Sequence, residues 1–126
     1  MFTINTDKSI HITRGDAAIL AVSAVGSNNE SYVFKEGDSV RLRVFEKGDF
    51  GSVILTKEVS VVAETTIVDI QISSDDTKIG SLINKPKDYW YEIELNPDTY
   101  PQTIIGYDND GPKVFRLFPE GADTGA

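Results

Sequence analysis

The chain has 126 residues, 40% of them hydrophobic and 25% charged, the size and composition of one globular domain with its own core. Twelve basic residues against twenty acidic ones leave a net charge of −8, which argues against the clustered-cation surface that nucleic acid or an anionic membrane needs. There is no cysteine, so neither a disulfide framework nor a thiol nucleophile is available, and a fold made in a reducing cytoplasm is favoured.

No apolar run approaches the roughly 18–20 residues that span a bilayer, and residues 1–7 lack the basic start of a secretion signal. A soluble chain without membrane insertion is therefore expected. In chain order, the first candidate strand is Ser9–Thr13, with an extra strand over Phe2–Thr6 left open. Arg14-Gly15-Asp16 then makes a corner before the nearly continuous apolar run Ala17–Val25, which suits a central or interface strand. Tyr32–Phe34 is a short candidate, followed by the corner Glu36-Gly37-Asp38. Ser39–Phe45 alternates strictly, Val40, Leu42 and Val44 on one face and Arg41 and Arg43 on the other. Lys47-Gly48-Asp49 forms a loop before Ser52–Val59, and Val68, Ile70 and Ile72 alternate with Asp69 and Gln71.

Ser73–Gly80 opens on a capping serine, carries acids in its first turn and stops at glycine, which predicts one short helical turn. Asp88–Leu95 puts Tyr89, Tyr91, Ile93 and Leu95 on one face, leaving Trp90 among Glu92 and Glu94 on the other. Asp108-Asn109-Asp110-Gly111 reads as the tip of a hairpin joining Gln102–Tyr107 to Lys113–Phe118. Seven to nine strands separated by turn signals give the pattern of a sandwich or small barrel, and an all-β antiparallel sandwich is expected, one domain over residues 1–120, with a flexible tail over 121–126.

Motifs that could carry chemistry are few. Arg14-Gly15-Asp16 spells the tripeptide that integrins recognise, but Gly-Asp recurs at two further corners and is better explained by turn geometry. Asp108–Gly111 fails the spacing of a helix-loop-helix calcium site, since Gly106 and Leu117 fall where carboxylates are required. A single histidine, His11, supplies too few ligands for zinc catalysis, and no Gly-x-Ser-x-Gly elbow is present. Glu92 and Glu94 lie about 6–7 Å apart on one strand face, a glycosidase-compatible separation that is also that of ordinary solvated acids. No catalytic, metal-binding or cofactor-binding residues are assigned, and a non-enzymatic role is expected. Trp90 beside carboxylates admits two readings, a sugar-stacking platform or a side chain covered by a loop or a neighbouring subunit.

Taken in order, these segments resemble the N-terminal immunoglobulin-like domains of tail and upper-baseplate proteins from phages of Gram-positive bacteria. The likeness runs from about Ile10 to Glu120. It rests on Ile12–Asp16 before an apolar strand, Tyr32–Val40 with its Gly-Asp turn and the strand ending Val44-Phe45-Glu46-Lys47, Ile70–Thr77, the tyrosine strand Tyr89–Leu95, and Gln102–Gly106 before Val114–Leu117. Many relatives continue into a helical stalk or receptor-binding part, whereas this chain stops shortly after Gly121. The resemblance implies an immunoglobulin-like sandwich that assembles in the host cytoplasm into the virion tail or baseplate. It would act through contacts with other tail proteins, as a homo-oligomer or as copies bound in a ring. The side chains expected at such an interface are Trp90, Tyr100, Tyr107 and Phe50, with carbohydrate binding to host-wall glycans as the alternative.

Overall fold

A computed structural model describes residues 2–4, 8–25, 30–80, 83–109 and 111–120 of the chain. Among the described residues nine strands are formed: β1 (Phe2–Ile4), β2 (Ile10–Thr13), β3 (Ala18–Val22), β4 (Ser39–Glu46), β5 (Asp49–Ser60), β6 (Val68–Ile72), β7 (Lys87–Leu95), β8 (Gln102–Ile105) and β9 (Lys113–Phe118). The larger sheet has the order β1-β2-β9-β7-β4-β5, with β8 also on β7, and β3 pairs with β6 in a second sheet. Together they make an all-β sandwich, as the alternation predicts.

The core is the sum of the apolar phases of these strands. Val40, Leu42 and Val44 of β4, Tyr89, Tyr91 and Ile93 of β7, and Phe115 and Leu117 of β9 are buried on the inner face of the large sheet. They pack against Leu20, Val22, Val68, Ile70 and Ile72 from the β3–β6 sheet in one cluster. Each such side chain contributes about 1.5–3 kcal/mol by leaving water.

The Gly-Asp corners do what their chemistry suggests. Gly15 and Gly37 take φ of 89° and 95°, and the Asp16 and Asp38 amides donate to the carbonyls of Thr13 and Lys35 at 3.0 Å, closing tight turns. The Asp38 carboxylate accepts from Lys35 N–H at 3.0 Å, Tyr32 Oη at 2.9 Å and Asn96 Nδ2 at 3.1 Å. Burial pushes this carboxyl up, but those hydrogen bonds outweigh it and hold Asp38 below the usual aspartate value. The third corner, Lys47-Gly48, is the tip of the β4–β5 hairpin, so β5 begins at Asp49 rather than Ser52.

Four expectations need correction. The sandwich is not wholly antiparallel, because β2 runs parallel to β9. Tyr32–Phe34 is not a strand: Phe34 bridges Thr65, while Tyr32 N–H donates to Ala24, so neighbouring residues serve different partners and no ladder forms. Ser73–Gly80 is a turn, not a helix. Its capping pair is real, Ser73 N–H to Asp76 Oδ2 at 2.8 Å and Asp76 N–H to Ser73 Oγ at 3.2 Å. Propagation stops because buried Thr77 ties the segment to the β2–β3 corner, accepting from Gly15 N–H and contacting the Asp16 carbonyl, both at 2.8 Å. Finally, β8 and β9 do not form a hairpin with each other. Both pair with the same edge of β7, β8 beside Ile93–Leu95 and β9 beside Lys87–Tyr91. They are successive parts of one strand path along β7, interrupted between the pairs Ile93–Ile105 and Tyr91–Lys113.

The possible extra strand at the start exists as β1, paired antiparallel with β2. The expected tail over 121–126 and Asp110 lie outside the described residues.

Candidate functional site

Because Tyr89 and Tyr91 are buried, the pleat sends Trp90, Glu92 and Glu94 to the outer face of the large sheet. The register with β4 sets Arg41 opposite Glu94, Arg43 opposite Glu92 and Phe45 opposite Trp90. Directly opposed pairs of opposite charge stabilise a sheet, and here they connect. Arg41 bonds Glu94 at 2.8 Å, while Arg43 reaches Glu92 at 2.5 Å and Glu94 at 3.1 Å. The two glutamates that could have formed a hydrolytic pair are thus engaged by guanidinium groups. Arg43 also lies 5.4 Å from the Phe45 ring centroid, which continues the row into the aromatic pairs above it.

At that end of the face four rings converge. The β4–β5 register shifts on both sides of Phe45, and the hairpin returns Phe50 against it, centroids 5.0 Å apart at 73°. Phe50 also meets Trp90 at 5.2 Å and 41°. Tyr107 arrives from the loop that interrupts β8 and β9, with its ring 6.5 Å from Trp90 and 6.4 Å from Phe50, near edge-to-face. Such geometries suit aromatic quadrupoles and lock the rings against one another. Phe45 is buried beneath the group, Trp90 is half-buried, and Phe50 and Tyr107 remain 42% and 66% exposed.

Three of the four side chains expected at an interface, Phe50, Trp90 and Tyr107, therefore meet in one patch. Tyr100 does not join them; it is exposed in the turn between β7 and β8. Phe45, Arg41 and Arg43 were not singled out from the sequence as site residues. Their signal was the phase of β4, which puts all three on the face opposite Val40, Leu42 and Val44.

The other motifs serve structure. The Arg14 side chain is only 10% exposed and donates to Glu120 Oε1 at 2.8 Å and the Gly80 carbonyl at 3.2 Å, so it is occupied within the fold. In the Asp108–Gly111 loop, the ammonium of Lys113 sits where a cation would, 2.7 Å from Asp108 Oδ1 and 3.2 Å from the Gly111 carbonyl. His11 packs edge-on to Phe118 at 5.6 Å, and its Nε2 is 3.5 Å from the buried Ser9 Oγ. Asp88 is claimed by Arg116 through Nε at 2.7 Å and NH2 at 3.1 Å, and this pairing holds its carboxyl below the usual value against the upward push of burial. Among the described residues, no group of three or more His, Asp or Glu side chains could hold a metal ion.

Comparison with protein-family models, with curated proteins and with solved structures finds no match.

Proposed function

We propose that this chain is a non-enzymatic assembly module of a phage tail or baseplate, docking onto other tail proteins through the Phe50–Trp90–Tyr107 patch. The observation that carries the proposal is convergence: exposed Phe50 from the β4–β5 hairpin, half-buried Trp90 from β7 and exposed Tyr107 from the loop before β9 form one surface over a buried Phe45. Aromatic side chains held rigidly at a surface are the usual anchors of protein interfaces, because little side-chain entropy is lost on docking. The charges beside the patch are paired within the chain through the Arg41 and Arg43 terminal amino groups, while the buried Nε of each arginine has no hydrogen-bond partner among the described residues.

The strand order supports the finer, immunoglobulin-like reading. A β5-β4-β7-β9 sheet facing β3-β6 corresponds in order to the C′-C-F-G and B-E strands of a variable-type sandwich. Together with the ordered sequence signatures, this favours a virion component, assembled in the host cytoplasm and present as ring-bound or self-associated copies. The test is mass spectrometry of tail particles from the strain that encodes the chain. Wild type should be present, and a Trp90→Ala/Tyr107→Ala variant depleted at equal expression; a chain absent from particles would overturn the proposal.

The exposed faces of Phe50 and Tyr107 also favour a second reading, stacking on host-wall sugars. A glycan array with Trp90→Ala as control separates the two. Trp90-dependent binding to wall polysaccharide supports the carbohydrate reading, and silence removes it.

A further inference from the structure

Lys113 stands in phase with Phe115 and Leu117, the core residues of β9, and is itself only 6% exposed. An ammonium at such a position costs stability unless it is paired and hydrogen-bonded. Both requirements are met by one loop. Asp108 Oδ1 lies at 2.7 Å and the Gly111 carbonyl at 3.2 Å, so the cation grips two points of the excursion that carries Tyr107. The same points are joined by backbone bonds, Gly111 N–H to Asp108 O at 2.9 Å and Asp108 N–H to Gly111 O at 3.3 Å.

This loop lies outside the strand ladder. It leaves the ladder between Ile105 and Lys113, and a cleft of about 250 Å³ lies against it, lined by Lys8, Thr103, Gly106, Tyr107, Asp108 and Lys113. The Asp108 side chain is 57% exposed, and the Lys113 ammonium gives it a charged partner at 2.7 Å.

We infer that Lys113 is the positioning residue of the aromatic patch: its buried ammonium clamps the Asp108–Gly111 loop and so holds Tyr107 against Trp90 and Phe50 before any partner arrives. The inference rests on the docking role proposed above for that patch. A loop ordered in advance does not have to be ordered at the moment of binding, which slows dissociation.

Lys113→Met keeps the aliphatic length and removes the charge. NMR of the full chain should then show β4 and β7 unchanged while Tyr107–Trp90 ring contacts disappear. Exchange of the Gly111 amide should speed up about tenfold or more, as expected when a local opening becomes easier. Incorporation into tail particles should fall with it. Asp108→Asn, at a largely exposed position, gives the same readouts without touching the core should the methionine variant fold poorly. If ring contacts and Gly111 protection survive in both variants, the clamp is refuted. If the loop opens but incorporation is unchanged, the clamp stands and docking through Tyr107 falls.

Discussion

Replacing Gly106 with alanine puts a methyl carbon 2.6 Å from Thr103 Cγ2 and 3.7 Å from Glu92 Cβ. The first distance is far inside van der Waals contact, and the threonine is β-branched with few rotamers to retreat into. Overpacking of this kind costs about 1–3 kcal/mol. Gly106 does not have positive φ, so alanine also removes unfolded-state entropy worth about 0.4–1 kcal/mol in its favour. The net expectation is a loss of up to about 2.6 kcal/mol, centred on about 1 kcal/mol.

Thr103→Ser deletes the offending methyl at an exposed position and should alone change stability by less than about 0.5 kcal/mol. In the double variant the clash is gone and only the entropic gain remains, so it should match or slightly exceed the serine variant. Urea unfolding of all four proteins, analysed as a double-mutant cycle, measures the coupling. Zero coupling in the cycle, or a loss that serine fails to rescue, would refute the close approach of Gly106 to Thr103.

Tyr91 Oη donates to the Lys8 carbonyl, so Tyr91→Phe should destabilise by about 1 kcal/mol in urea melts while leaving the Trp90 environment unchanged. Asp38 and Asp88 titrate below their ordinary value of 3.8. Each therefore adds stability that is complete well above that value and is lost as pH falls through and below it. Asp38→Asn should flatten the acid limb of a stability–pH curve, and an unchanged limb would contradict the assignment. Arg14→Ala should cost about 2 kcal/mol through its lost bonds to Glu120 and Gly80, and the folded wild-type chain should support no Arg14-dependent integrin adhesion.

The strands with period-two patterning, β4, β6 and β7, were legible because one buried face imposes alternation on the sequence. That same phase was enough to send Trp90 outward. What was not legible depends on partners distant along the chain. Asp108–Gly111 signals a local reversal, but whether β8 then pairs with β9 or with β7 is decided by the open edge of β7. Ser73–Gly80 carries a genuine cap, yet the Thr77 hydroxyl is drawn to the β2–β3 corner, an attraction no window of eight residues can reveal. Tyr100 and Tyr107 look alike in sequence, both aromatic and both in turns. Only the cross-strand register separates the one that meets Trp90 from the one that stands apart. Lys113 carried no signal beyond its phase with Phe115 and Leu117.

The most direct test of the docking surface is hydroxyl-radical footprinting of the chain free and within an assembled tail particle. Trp90, Tyr107 and Phe50 should be oxidised in the free chain and shielded in the particle, while exposed Tyr100 serves as an internal reference. Equal oxidation of the three patch residues in both states would contradict it.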